Sequence, residues 1–154
     1  MTKRLFDCPK CNKLPDDSFT QFEYYKDWFT TYPEENSIHI HFGDPTEDEE
    51  GNIQEVTFLK NYLFDIFKKY PQKKFFIFID SSTIDNSELV PSESMNIYGE
   101  IFNHDQAGAV VMYGATEDLN EVALSISDLV KSEINIAKDY FEADQIFRKW
   151  QSSN

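Results

Sequence analysis

The chain has 154 residues, with 28 acids against 14 bases, a net charge of −14 and an isoelectric point near 4.5. Such a field repels phosphate backbones and anionic lipid, which excludes unaided binding of nucleic acid or of a membrane surface. The length favours one domain, 40% hydrophobic and 16% aromatic residues exclude a disordered chain, and without an apolar run of roughly 18 residues or an apolar leader the expected compartment is the cytoplasm.

Residues 1–18 are polar, carry Pro9 and Pro15 and show little periodicity, so they read as an irregular lead-in to a single α/β domain over 19–154. From Phe22 the even positions run Phe22, Tyr24, Lys26, Trp28, Thr30 and Tyr32, and beyond the turn-forming Pro33-Glu-Glu-Asn36 the series continues as Ile38, Ile40 and Phe42. Period two on both sides of a turn predicts a hairpin. Phe19, Phe22, Tyr25 and Phe29 also fit a helical stripe, the competing reading.

The acidic run Asp44 to Glu50 reads as a solvated loop. Asn52 with Glu55 three residues on is a capping-box signal, and Ile53, Val56, Leu59, Leu63, Ile66, Phe67 and Tyr70 follow at helical spacing up to Pro71. Phe75 to Ile79 is apolar on every side chain, the pattern of a strand covered on both faces, and Asp80 closes it. After a polar loop to Pro91, Met95, Tyr98, Ile101 and Phe102 predict a second helix and Ala109 to Tyr113 a second buried strand. Thr116 caps a third helix bearing Leu119 to Val130, Ile134 to Ile136 is a shorter strand, and Ala143, Ile146, Phe147 and Trp150 stripe a terminal helix. The order ββαβαβαβα implies a mixed, mostly parallel sheet of about five strands, an N-terminal antiparallel hairpin and four helices.

Three constellations bear on chemistry. Cys8-Pro-Lys-Cys11 is half of a zinc knuckle, and His39 and His41, two apart on one strand face, are the only further ligands nearby. That spacing matches no common zinc module, so the favoured reading is a reduced thiol pair and two half-exposed strand histidines, with no metal and no cofactor. A Ser/His/Asp set can be drawn from Ser81 or Ser82, Asp80 and His104, but glycine-rich phosphate loops and the nucleophile-elbow motif are missing, so no catalytic residue is assigned. Asp80 is expected to accept hydrogen bonds from the loop that follows it. Finally, no Lys or Arg occurs from Phe75 to Val130, a segment rich in acids.

With the elements placed, Ile38 to Trp150 resembles the STAS family, and within it the SpoIIAA-like group of short bacterial domains. The similarity lies in Ile38-His-Ile-His-Phe-Gly43, in Phe76-Ile-Phe-Ile-Asp80-Ser-Ser-Thr-Ile-Asp85-Asn-Ser-Glu-Leu89, in Gly108 to Gly114 and in the ending Tyr140 to Trp150. The resemblance implies a non-enzymatic regulatory module, with Ser87 at the position where related anti-sigma antagonists are phosphorylated by a kinase partner. Glu88 stands where that family pattern has glycine. The expected function is docking of a basic protein partner through an acidic face comprising Asp85, Glu88, Glu93, Glu117 and Asp118. The alternative is a carrier or sensor of a small lipophilic ligand held among Phe75, Phe78, Tyr98 and Phe102.

Overall fold

A computed structural model describes residues 5–84 and 90–153. Six strands form one sheet whose spatial order follows the chain: β1 (Thr20–Phe22), β2 (Asp27–Tyr32), β3 (Ser37–His41), β4 (Phe75–Asp80), β5 (Ala107–Tyr113) and β6 (Glu133–Ala137). The first three pair antiparallel and the rest parallel, so the α/β class and the mixed sheet are those expected. The hairpin turns through a 3-10 segment at Pro33–Glu35 and a left-handed Asn36, a residue type that tolerates that conformation. One predicted strand is two: a turn at residues 23–26 divides the Phe22–Tyr32 run, adding β1 at the sheet's edge.

Four long helices fall where periodicity places them: α2 (Glu49–Lys69), α3 (Ser92–Phe102), α4 (Glu117–Ser127) and α5 (Tyr140–Ser153), preceded by a single-turn α1 (Pro9–Asn12). The start of α2 differs from expectation. Asp48 is its cap, accepting the Gly51 N–H at 2.7 Å, while Asn52 and Glu55 lie buried inside the helix. The acidic run therefore ends as helix: Glu49 and Glu50 occupy the first turn and Lys68 and Lys69 the last, charges that oppose the helix dipole at both ends. At the other end of the predicted third helix, α4 stops at Ser127, and Leu129 is exposed.

Right-handed crossovers that always step in the same direction put every connecting helix on one face. Accordingly Phe75, Ile77 and Ile79 pack with Leu59, Leu63 and Phe67 of α2, Ile101 of α3 and Ile126 of α4. The opposite face, bearing Phe76, Phe78, Val111 and Tyr113, would lie bare. It is closed by Tyr140, Ala143 and Phe147 of α5, by Cys8 and Cys11 of the lead-in and by Phe19 just before β1. The lead-in therefore contributes Cys8 and Cys11 to the core, with Phe6 and Leu14 packed against them. Among the described residues no helix is long and apolar enough to cross a membrane.

Candidate functional site

The lead-in face carries the molecule's densest polar chemistry. Cys8 caps α1, with Pro9 pre-set at the first helical position, and its Sγ accepts the Cys11 N–H at 3.4 Å. Strand alternation on β3 turns Ser37, His39 and His41 toward the same side, opposite Ile38 and Ile40. His39 Nδ1 thereby comes to 4.0 Å from Cys8 Sγ, and one donor atom each from Cys8, Cys11 and His39 lies within 4.8 Å of the others. The Tyr32 hydroxyl donates to Cys11 Sγ at 3.5 Å, and His39 lies flat on Phe78 with centroids 4.3 Å apart.

This corrects the expectation of half-exposed histidines. His39 and His41 are 1% and 2% exposed, because the lead-in folds over the hairpin. Burial presses His39 below its ordinary value, which favours the neutral imidazole. The hydrogen bond from Cys11, aided by His39, outweighs burial and holds Cys8 below the usual thiol range, while the same hydrogen bond and burial push Cys11 up. Burial also raises Tyr32, Tyr113 and Tyr140, keeping these phenols protonated.

His41 sits beside that trio but serves another partner. In the parallel β3–β4 register it faces Asp80, and its Nδ1–H donates to Asp80 Oδ2 at 2.7 Å. Phe6 stacks on the imidazole at 3.9 Å, and buried Nε2 has no hydrogen-bond partner among the described residues. Asp80 Oδ1 accepts the Ser82 N–H at 3.0 Å and its hydroxyl at 2.6 Å, as expected of a strand-terminal acid. Burial alone would raise this carboxyl, yet the His41 and Ser82 hydrogen bonds prevail and hold it below the usual carboxylate value. The Ser/His/Asp set is not assembled. His104 lies on the other face against Phe64 and Phe67, its Nδ1 accepting the Gln106 N–H.

The carboxyl ends of the parallel strands form a rim. The turns after β4 and β5 touch there: Ser81 N–H donates to the Tyr113 carbonyl, and Gly114, at φ +74°, leaves no room for a Cβ, which would stand 2.9 Å from that of Ser82. Glu93 in the first turn of α3, and Glu117 and Asp118 in that of α4, are exposed at this rim and make no ion pair among the described residues. Elsewhere the base-free segment is partly neutralised from outside it, since Glu100 pairs with Lys60 and Asp105 with Lys131. Asp85, Ser87 and Glu88 lie outside the described residues.

Beneath α3 and α4 is a cavity of about 80 Å³, lined by Phe42, Ile79, Tyr98, Met112, Val122 and Ile126 among others. Phe102 also lines it, but Phe75 and Phe78 do not. Alternation sends Phe78 to the opposite face, and Phe75 lies at the amino end of β4, under Phe67. What sequence reasoning missed was the partnership of His41 with Asp80 and the phenols around the thiols. The even spacing of His39 and His41 against Phe76 and Phe78 was the available signal, and it needed the strand order to be read. No protein-family model and no curated protein matches this chain.

Proposed function

We propose that the chain is a non-enzymatic regulatory module of STAS-like type that docks a basic protein partner through the acidic rim. The observation that carries this reading is that Glu93, Glu117 and Asp118 open the helices that follow the neighbouring strands β4 and β5, exposed and without ion pairs among the described residues. Acids in a first helical turn also steady their own helices by about 0.3–1 kcal/mol. Docking is favoured because uncompensated charge of one sign steers an oppositely charged partner. The order of elements supports the STAS-like assignment, and burial of both the Cys8–Cys11–His39 trio and the Asp80–His41 pair supports a non-enzymatic role. Ser87, between β4 and α3, is the residue on which a kinase-type partner would modulate the contact.

The test is a pull-down in low salt, followed by association kinetics with the recovered protein at rising ionic strength. A basic partner is expected, with an on-rate that falls steeply with salt and falls at least about tenfold in the Glu93→Lys, Glu117→Lys, Asp118→Lys triple variant. Asp65→Lys, on the exposed side of α2, is the control. Salt-indifferent binding, or equal slowing per charge by Asp65→Lys, removes the rim from the account.

A second reading, a small apolar ligand, is favoured by the cavity, since α4 buries only Ile126 fully. Its volume is below the roughly 150 Å³ that admits benzene, so a fatty-acid chain does not fit without displacing α4. Binding of an apolar probe smaller than benzene, such as xenon, lost in Ala123→Leu, supports this reading; no binding leaves the space as loose packing.

A further inference from the structure

We propose that Cys8, Cys11 and His39 bind one zinc ion, with His41 Nε2 as its fourth donor. Tetrahedral zinc holds sulfur at about 2.3 Å and imidazole nitrogen at about 2.0–2.1 Å, so its ligand atoms stand roughly 3.5–4 Å apart. The Cys8 Sγ to His39 Nδ1 separation of 4.0 Å is already there, and the three donors, all within 4.8 Å, need to close by no more than about 1 Å.

The fourth donor follows from the surroundings. All three groups are fully or almost fully buried, which suits a closed, structural site better than one with a position open to solvent. On the same strand face stands His41, also buried, with Nε2 lacking a partner among the described residues and Nδ1–H given to the Asp80 carboxylate. That is the outer-shell arrangement by which ligating imidazoles are oriented and made more basic. The His39 and His41 ring centroids are 6.4 Å apart with their planes within 20°, and His41 lies outside the converging trio, so binding draws it inward.

The donor set selects the ion. Two sulfurs and two nitrogens suit zinc; calcium and magnesium require oxygen, and a two-iron cluster with two cysteines on one iron and two histidines on the other would hold its thiolates and imidazoles apart, whereas Cys8, Cys11 and His39 converge on one point within 4.8 Å. Two thiolates cancel the dipositive charge, so the loaded site is neutral where a lone buried thiolate is not. The Cys11 N–H on Cys8 Sγ and the Tyr32 hydroxyl on Cys11 Sγ supply the donors that thiolate ligands need. The ion would tie the lead-in to β3.

The test uses the full chain, purified without chelator under reducing conditions and assayed for zinc by mass spectrometry, then stripped and titrated with cobalt(II). One zinc per chain is expected, and cobalt should give intense tetrahedral d–d bands with a thiolate charge-transfer band. Cys11→Ser and His39→Ala should abolish both. Because those variants risk unfolding, Tyr32→Phe, which keeps the ring and removes only the donor to Cys11, provides a folded comparison. It should weaken zinc by roughly 10–100-fold, the usual cost of losing an outer-shell partner. A reduced, folded wild-type chain that takes up neither zinc nor cobalt stoichiometrically overturns the site, as does a Cys8–Cys11 disulfide that persists in the same preparation. An unchanged cobalt spectrum in His41→Ala overturns the fourth donor.

Discussion

Replacing Asp80 by Asn isolates the buried carboxylate at the end of β4. Asp80 is 4% exposed and accepts three hydrogen bonds, one from His41 on Oδ2 and two from Ser82 on Oδ1. Asparagine offers one acceptor oxygen. If that oxygen turns to Ser82, its amide faces His41 Nδ1–H. A tautomer switch that relieves the clash moves the proton to Nε2, which is buried among groups that do not accept it. Either way one buried N–H is stranded, at about 1–3 kcal/mol, and the Ser82 bonds lose their charge assistance, for a total of about 2–4 kcal/mol. For a chain of this length that is a drop in Tm of roughly 5–15 °C.

The pH dependence carries a sign. The folded carboxyl is held below its unfolded value, so its contribution is complete above the unfolded value near 3.9 and is lost as pH falls through the folded one. Urea unfolding of both proteins from pH 7 to pH 3 should therefore show the gap shrinking in acid. A gap under about 0.5 kcal/mol at pH 7, or one that widens on acidification, refutes the reasoning.

Gly43→Ala should cost about 1–3 kcal/mol or more in chemical denaturation, because its Cβ would stand 2.2 Å from the Tyr25 carbonyl oxygen, which is backbone and has no rotamer to yield. Leu63→Ala, at 1% exposure on the inner face of α2, should cost about 2–5 kcal/mol, whereas Leu124→Ala on exposed α4 should stay within about 0.5 kcal/mol. If zinc ties the lead-in down, a strong chelator should speed tryptic cleavage after Lys10 and Lys13 before it affects cleavage in α2; simultaneous loss at both places argues against that tie.

Much of the architecture was legible because local patterns coincide with tertiary roles. The unbroken apolar run of β4, the cap at Thr116 and the stripe of α5 each meant in the fold what they mean locally. The start of α2 was misread because Asn52 and Glu55 imitate a cap, while Asp48, one turn earlier, holds the oxygen that reaches Gly51. The lead-in was opaque for a different reason. Cys8 and Cys11 have no periodicity that links them to a strand, and their burial follows only from the spatial order of the strands, which leaves one sheet face without a helix of its own until α5 arrives. The acids were visible as composition; that Glu93 and Glu117 share a rim while Glu100 and Asp105 find lysines depends on whether each lies at the start of a helix or at or beyond its end.

The way the sheet is covered divides the folding problem in two. The face under α2, α3 and α4 is built from neighbours in sequence, each strand adding beside the last, so its contacts close short loops. The face over Phe76 and Phe78 is sealed jointly by Cys8, near one end of the described chain, and by Phe147, near the other. Closing that loop is the entropically slow step, so the two sides should acquire protection from hydrogen exchange at different times, the helical side first. The thiol–imidazole trio is then assembled late, when the sheet beneath it already exists.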